Sequence, residues 1–212
     1  MQEWRAALER ARESDRDLRR FGASSHRYEL RPPLGEAAVA AFEHRYGARL
    51  PEPYRAFVRD IGDGNAGPGY GLFPLGVRDE DVIGDDIGSD EDLPRLATPF
   101  NATEAFALTI ADVDEDDDDA VEEALAEYCD PKWIAGAMFL NHYGCALRAM
   151  LVVTGPLAGC VIVDQRPEQG GIVPFDRELA RRYHGDDGNG APTGPFTFNE
   201  WYESWLRGLL NT

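Results

Sequence analysis

Three apolar stretches decide the fold: Met138-Phe139-Leu140-Asn141, Ala146-Leu147-Arg148-Ala149-Met150-Leu151-Val152-Val153 and Cys160-Val161-Ile162-Val163-Asp164. Each is shorter than an ordinary helix and rich in β-branched or bulky apolar residues, the composition of a buried strand. Turn residues separate them at 142–144 and 155–158. Turns this short join antiparallel neighbours, because a parallel pair needs a crossover of about a dozen residues or more. The spacing predicts strands at 138–142, 146–154 and 160–164, an earlier strand at 72–75 and a last short one at 171–175.

Upstream, the apolar period is helical. Trp4, Leu8, Ala11, Leu18 and Phe21 share one stripe of a helix over 1–21. Val39, Phe42 and Tyr46 define a helix over 35–46, with Gly47 placed to end it. Pro51 opens another over 51–61, whose inward face is Tyr54, Phe57, Val58 and Ile61. Phe106–Ile110 reads as a possible strand and 120–128 as a helix. At the far end, Thr197 and Glu200 have capping-box spacing, and Trp201, Trp205 and Leu209 form one face of a helix over 198–210. Helices, a strand meander and a closing helix make an α+β fold, with an antiparallel-rich sheet. Tyr54, Phe57, Leu72, Leu151, Val153, Trp201 and Trp205 are the expected core.

Charge is distributed unevenly along the 212 residues. The net charge is -18, and residues 79–130 alone carry 20 acidic groups against one basic group, Arg95. Such a surface repels nucleic acid and anionic membrane and attracts a basic protein. No apolar run approaches the ~18 residues that span a membrane. The charged N-terminus lacks the apolar core of a secretory signal. Cys129, Cys145 and Cys160 have neither metal spacing nor an even pairing, which fits a reducing cytoplasm.

Most motif matches have an ordinary reading. Gly62-Asp63-Gly64-Asn65-Ala66-Gly67 spells G-x-G-x-x-G, but a helix precedes it where a dinucleotide site needs a strand. Asp112, Asp114, Asp116, Asp118 and Glu123 fall at calcium-loop positions, yet Asp117 replaces the glycine that makes the turn. No metal, cofactor or catalytic residue is expected. His142 and Cys145 lack an orienting third group, and Cys145 and Cys160 read as small apolar residues on strands. The expected partner-binding residues are Asp90, Glu91, Asp92, Asp112, Asp114, Glu115, Asp116, Asp117, Asp118, Asp119, Glu122 and Glu123, because a charge run this dense is too costly to bury.

Several ordered segments resemble the Smi/Knr-like (SUKH) superfamily. They are Leu50-Pro51-x-Pro53-Tyr54-Arg55-x-Phe57-Val58 and Gly64-Asn65-Ala66-Gly67-Pro68-Gly69-Tyr70-Gly71-Leu72-Phe73-Pro74-Leu75. Next come Tyr143-Gly144-Cys145, Leu151-Val152-Val153-Thr154-Gly155-Pro156, then Gly159, Val161, Asp164 and Gly170-Gly171-Ile172-x-Pro174. The last is Phe198-x-Glu200-Trp201-Tyr202-x-x-Trp205-Leu206. The resemblance spans roughly 34–210 and departs from the family at Ile162, commonly aromatic there, and at an acidic insert over 77–130. It implies an N-terminal helix and linker (1–33) followed by a SUKH-like domain (34–212). It also implies a non-enzymatic immunity protein that binds and neutralises a cognate toxin domain, often a nuclease. The alternative is an adaptor or regulatory module on the same fold. The family implies no fixed site residues, so the acidic segment is singled out on charge alone.

Overall fold

The computed structural model describes residues 2–76, 93–114, 116–186 and 193–210. Among the described residues, four strands form one antiparallel sheet in chain order: β1 (Ala137–Gly144), β2 (Leu147–Val152), β3 (Val161–Asp164) and β4 (Ile172–Pro174). The helices are α1 (Gln2–Ser14), α2 (Ala23–His26), α3 (Glu36–Tyr46), α4 (Glu52–Ala56), α5 (Ala102–Ala105), α6 (Asp118–Cys129), α7 (Arg177–Leu179) and α8 (Phe198–Leu210). Helix α4 continues into a π-wound turn, Phe57–Ile61. This is the α+β architecture that the strand and helix periods predict.

The meander has both faces buried. On one face, Met138, Leu140, Leu151 and Val163 pack with Val39 of α3, Tyr54 of α4, Phe57, and Phe198 and Trp201 of α8. On the other, Phe139, Met150, Val152, Ile162 and Ile172 pack with Phe100, Ala105 and Ile134. The second cover comes from the acidic stretch and the residues just after it. What reads as an insert therefore shields half of the sheet from water. All seven expected core residues are buried.

The β1–β2 pairing departs from a plain ladder at two places, Phe139/Asn141 and His142/Gly144, and the first is informative. Phe139 faces Met150 but Asn141 faces Ala149, so Leu140 is an extra residue in β1. The Asn141 side chain repairs the gap. Its Oδ1 accepts from the Ala149 amide at 3.2 Å and its Nδ2 donates to the Pro68 carbonyl at 2.9 Å. Pro68 belongs to the glycine-rich loop, which lies along the outer edge of β1. The Tyr70 amide donates to the His142 carbonyl at 2.9 Å and the Phe73 amide to that of Leu140 at 2.8 Å. Gly69 must be glycine there, because at φ 57° a Cβ would sit 2.3 Å from the His142 oxygen. The G-x-G-x-x-G match is thus an edge cover for the sheet.

Several expectations fail for local reasons. Helix α1 stops at Ser14 rather than 21, because the Asp15 carboxylate takes the amides of Arg19 at 2.8 Å and Arg20 at 3.2 Å. Phe21 is consequently 64 % exposed instead of inward. Residues 72–75 form no strand. Leu72 makes only single bridges to Asn65 and Asn141, the loop having used the edge. Residues 106–110 turn and run on irregularly, with α5 just before them. The β1–β2 turn sits at Cys145 and Ala146, at φ 49° and 60°, not at 142–144. Cys145 is therefore exposed at a hairpin tip rather than packed on a strand.

Helix α8 closes the sheet as expected. The Thr197 amide donates to Glu200 Oε2 at 2.8 Å, the return half of the capping box. Beneath it lies a closed hydrogen-bond circuit. Trp201 Nε1 donates to the Tyr143 hydroxyl at 2.9 Å, and that hydroxyl is 2.9 Å from His184 Nε2. His184 Nδ1 lies 2.5 Å from Ser204 Oγ, which donates to the Trp201 carbonyl at 2.8 Å. Following the donors round, Tyr143 donates to Nε2 and the histidine proton sits on Nδ1. The circuit is complete only with a neutral imidazole.

Two measurements test this core. Leu151→Ala should cost about 2–5 kcal/mol in urea unfolding, as for a fully buried leucine. Burial lowers the pKa of His184 from 6.5 to about 3 and that of His26 from 6.5 to about 4. Folding holds both rings neutral, so their contribution is complete above the unfolded value and declines as pH falls below it. Stability should drop by roughly 1.4 kcal/mol per pH unit for each ring between the unfolded and folded values. Relief of carboxylate repulsion acts in the opposite direction. Comparison with His26→Gln/His184→Gln isolates the histidine part, and that variant should show the shallower acid loss.

Candidate functional site

Helix α6 begins inside the aspartate run, and the run itself builds its start. The Asp117 carboxylate accepts from the Ala120 amide at 3.1 Å, an N-cap, and Asp118 and Asp119 follow in the first turn. Acidic side chains there complement the positive end of the helix dipole. Just before it, Asp114 Oδ1 accepts from the Asp116 amide at 3.1 Å. Ala124 and Tyr128 bury the inner face of α6, and most of its remaining surface is open to solvent.

The far end of α6 is fixed by a buried ion pair. Arg166 Nη2 lies 2.8 Å from Asp164 Oδ2, and Arg166 Nε donates to Asp164 Oδ1 at 2.9 Å. Arg166 Nη1 reaches the carbonyls of Tyr128 at 3.4 Å and Asp130 at 3.1 Å. A guanidinium suits this place because the open carbonyls of a helix C-terminus carry partial negative charge. The Tyr128 hydroxyl accepts from the Gly171 amide at 2.8 Å. The acidic helix is thereby anchored to β3 and to the entry of β4.

The expected binding residues divide cleanly. Asp112, Asp114, Asp116, Asp117, Asp118, Asp119, Glu122 and Glu123 are all exposed around the start of α6. Among the described residues, none of them forms an ion pair. Asp90, Glu91, Asp92 and Glu115 lie outside the described residues. Helix α6 starts at Asp118, the seventh position of the calcium template, so the chain straightens where a calcium loop must keep wrapping. Among the described residues there is no group of three or more His, Cys, Asp or Glu placed to hold a metal ion.

Composition alone did not reveal a groove beside the acidic face. It runs between α6 and the 107–113 segment as two adjoining depressions of about 550 and 390 Å³, which share Ala111, Ala124 and Glu127. Ala120, Val113 and Leu108 extend the apolar lining, and Glu104, Glu123 and Asp130 stand among the lining residues as well. The sequence signal was the four-residue spacing of Ala120 and Ala124, overshadowed by the charges between them.

His142 is buried in β1, its Nδ1 accepting from the Gly144 amide at 3.2 Å, while Cys145 stands exposed in the turn. Ser204 is 0 % exposed and gives its proton to the Trp201 carbonyl, so the His184–Ser204 contact is not arranged to activate a nucleophile. No helix among the described residues is long and apolar enough to cross a membrane.

Removing one side of the Asp164–Arg166 pair should be far worse than removing both. Arg166→Met strands a buried carboxylate and should cost about 3–5 kcal/mol in urea unfolding. The double change Asp164→Leu/Arg166→Met should recover much of that loss, and amides at the C-terminal end of α6 should still exchange faster than in the parent.

No family model matches the chain, and no match is found among curated proteins or solved structures.

Proposed function

We propose that the protein is a cytoplasmic immunity protein that binds the basic surface of a cognate toxin domain through its acidic face, and neutralises it without chemistry of its own. The carrying observation is the set of eight exposed carboxylates between Asp112 and Glu123, none in an ion pair among the described residues. Held so close together, these charges repel one another and oppose folding. Asp118, Asp119, Glu122 and Glu123 sit on a helix whose far end is anchored to the sheet by Arg166, and Asp112, Asp114, Asp116 and Asp117 lead into its start. A nuclease domain presents a basic substrate cleft, which such a face complements and blocks. Nucleic acid and anionic membrane are disfavoured as partners by the same field. The SUKH-like motif series supports the immunity reading independently of charge.

The test is to replace Asp114, Asp116, Asp117 and Asp118 with Asn and follow association with the cognate toxin domain. Asn can still cap a helix, so α6 should persist. Association should slow by about ten-fold or more at low salt, with a smaller change in dissociation. The difference should shrink above ~0.15 M salt, where screening acts within ~8 Å. An unchanged association rate together with unchanged protection from the toxin would refute the reading.

A further inference from the structure

Beside the acidic face, residues 109–113 make no backbone hydrogen bond among the described residues. Thr109, Ala111 and Asp112 are exposed, while Ile110 and Val113 are half-buried. This strap forms one wall of the groove, and Ala120 and Ala124 of α6 form the other. We propose that the groove receives one extended, basic segment of the partner, laid against the strap as an added strand. The proposal deepens the function given above and rests on it: the Asp run steers the partner, and the groove holds it.

Three features select that occupant. An open backbone is a template for strand addition. A docking helix satisfies its own backbone groups and would leave those of the strap to water. The alanines let another main chain approach closely, where larger side chains would fill the space. The charges favour a cation. Glu104 and Glu123 form no ion pair among the described residues, Glu127 and Asp130 hold exposed pairs with Lys132 and Arg95, and Asp130 Oδ1 also accepts from the Lys132 amide. Such exposed pairs contribute little and can be exchanged for an incoming arginine. Side chains of a strand alternate, so the fitting segment alternates small apolar residues, aimed at the alanines, with Arg or Lys aimed at the carboxylates.

The test uses the full chain and two labelled, end-blocked octapeptides of equal composition: Val and Arg strictly alternating, or in two blocks. The alternating peptide should bind about ten-fold more tightly than the blocked one, or better. At saturation the amides of 109–113 should gain hydrogen-exchange protection. Ala111→Trp keeps every charge, fills the groove from an exposed position, and should weaken the alternating peptide about ten-fold or more. Ala107→Trp, also exposed, reads the same groove independently should Ala111→Trp fail to fold. Unchanged affinity in these variants, or unprotected amides at 109–113 in the saturated complex, overturns the proposal. So does a dimer of the protein alone that Ala111→Trp dissociates, since a second copy would then be the occupant. If the Asn set slows toxin binding while the Trp variants do not, the acidic-face reading stands and the groove falls. The opposite pattern keeps the groove and removes the steering.

Discussion

A four-stranded meander whose strands are apolar on both faces cannot leave either face to water. β2 and β3 have every residue buried, and β1 every residue but Gly144. Burial of this surface is the main favourable contribution to folding. Helices α3, α4 and α8 cover one side. The other side must be covered by chain that lies between α4 and β1, and the chain available there is the most acidic in the protein. The segment therefore has to fold down through Phe100, Ala105 and Ile134 while sending its carboxylates outward. Its amphipathic character follows from this double demand, and so does the fixed position of its charges.

Arg166 links that cover to the sheet. A single guanidinium satisfies Asp164 at the end of β3 and two carbonyls at the end of α6. Both partners are buried, so the pair contributes little net stability over an apolar substitute. Its value is geometric, because it holds one end of α6 in one orientation. At the other end, Asp117 caps the helix with one of the run's own side chains. The electrostatics of the site and the formation of the helix that presents it are in this way the same interaction.

Much of the sheet was legible in the sequence because its signals are local. The strand runs at 137–164, the Thr197–Glu200 capping box and the Trp201–Trp205 face each depend on residues a few positions apart. The helix over 36–46 ends at Gly47 in a left-handed conformation, as its glycine indicates. What stayed hidden depends on distance along the chain. Nothing near Arg166 announces that it will reach Tyr128 and Asp130. Leu72 looks like a strand residue, but the glycine-rich loop around it pairs with β1 and leaves no room for a ladder. The second-face cover was masked by composition. Phe100, Ala105 and Ile134 follow no simple period, and the surrounding acid count dominates any average. The carboxylates were found by charge, whereas the groove beside them needed α6 and the strap placed together.

The exposed aspartates at and before the start of α6 have a consequence for divergence. Apart from Asp114 and Asp117, whose side chains hold turns, their carboxylates accept no hydrogen bond and join no ion pair among the described residues. Exchanging such a surface residue typically changes stability by no more than about 0.5 kcal/mol. The apolar residues beneath are under the opposite constraint. The charge pattern can therefore be rewritten one position at a time while the scaffold stays intact, without passing through an unfolded intermediate sequence.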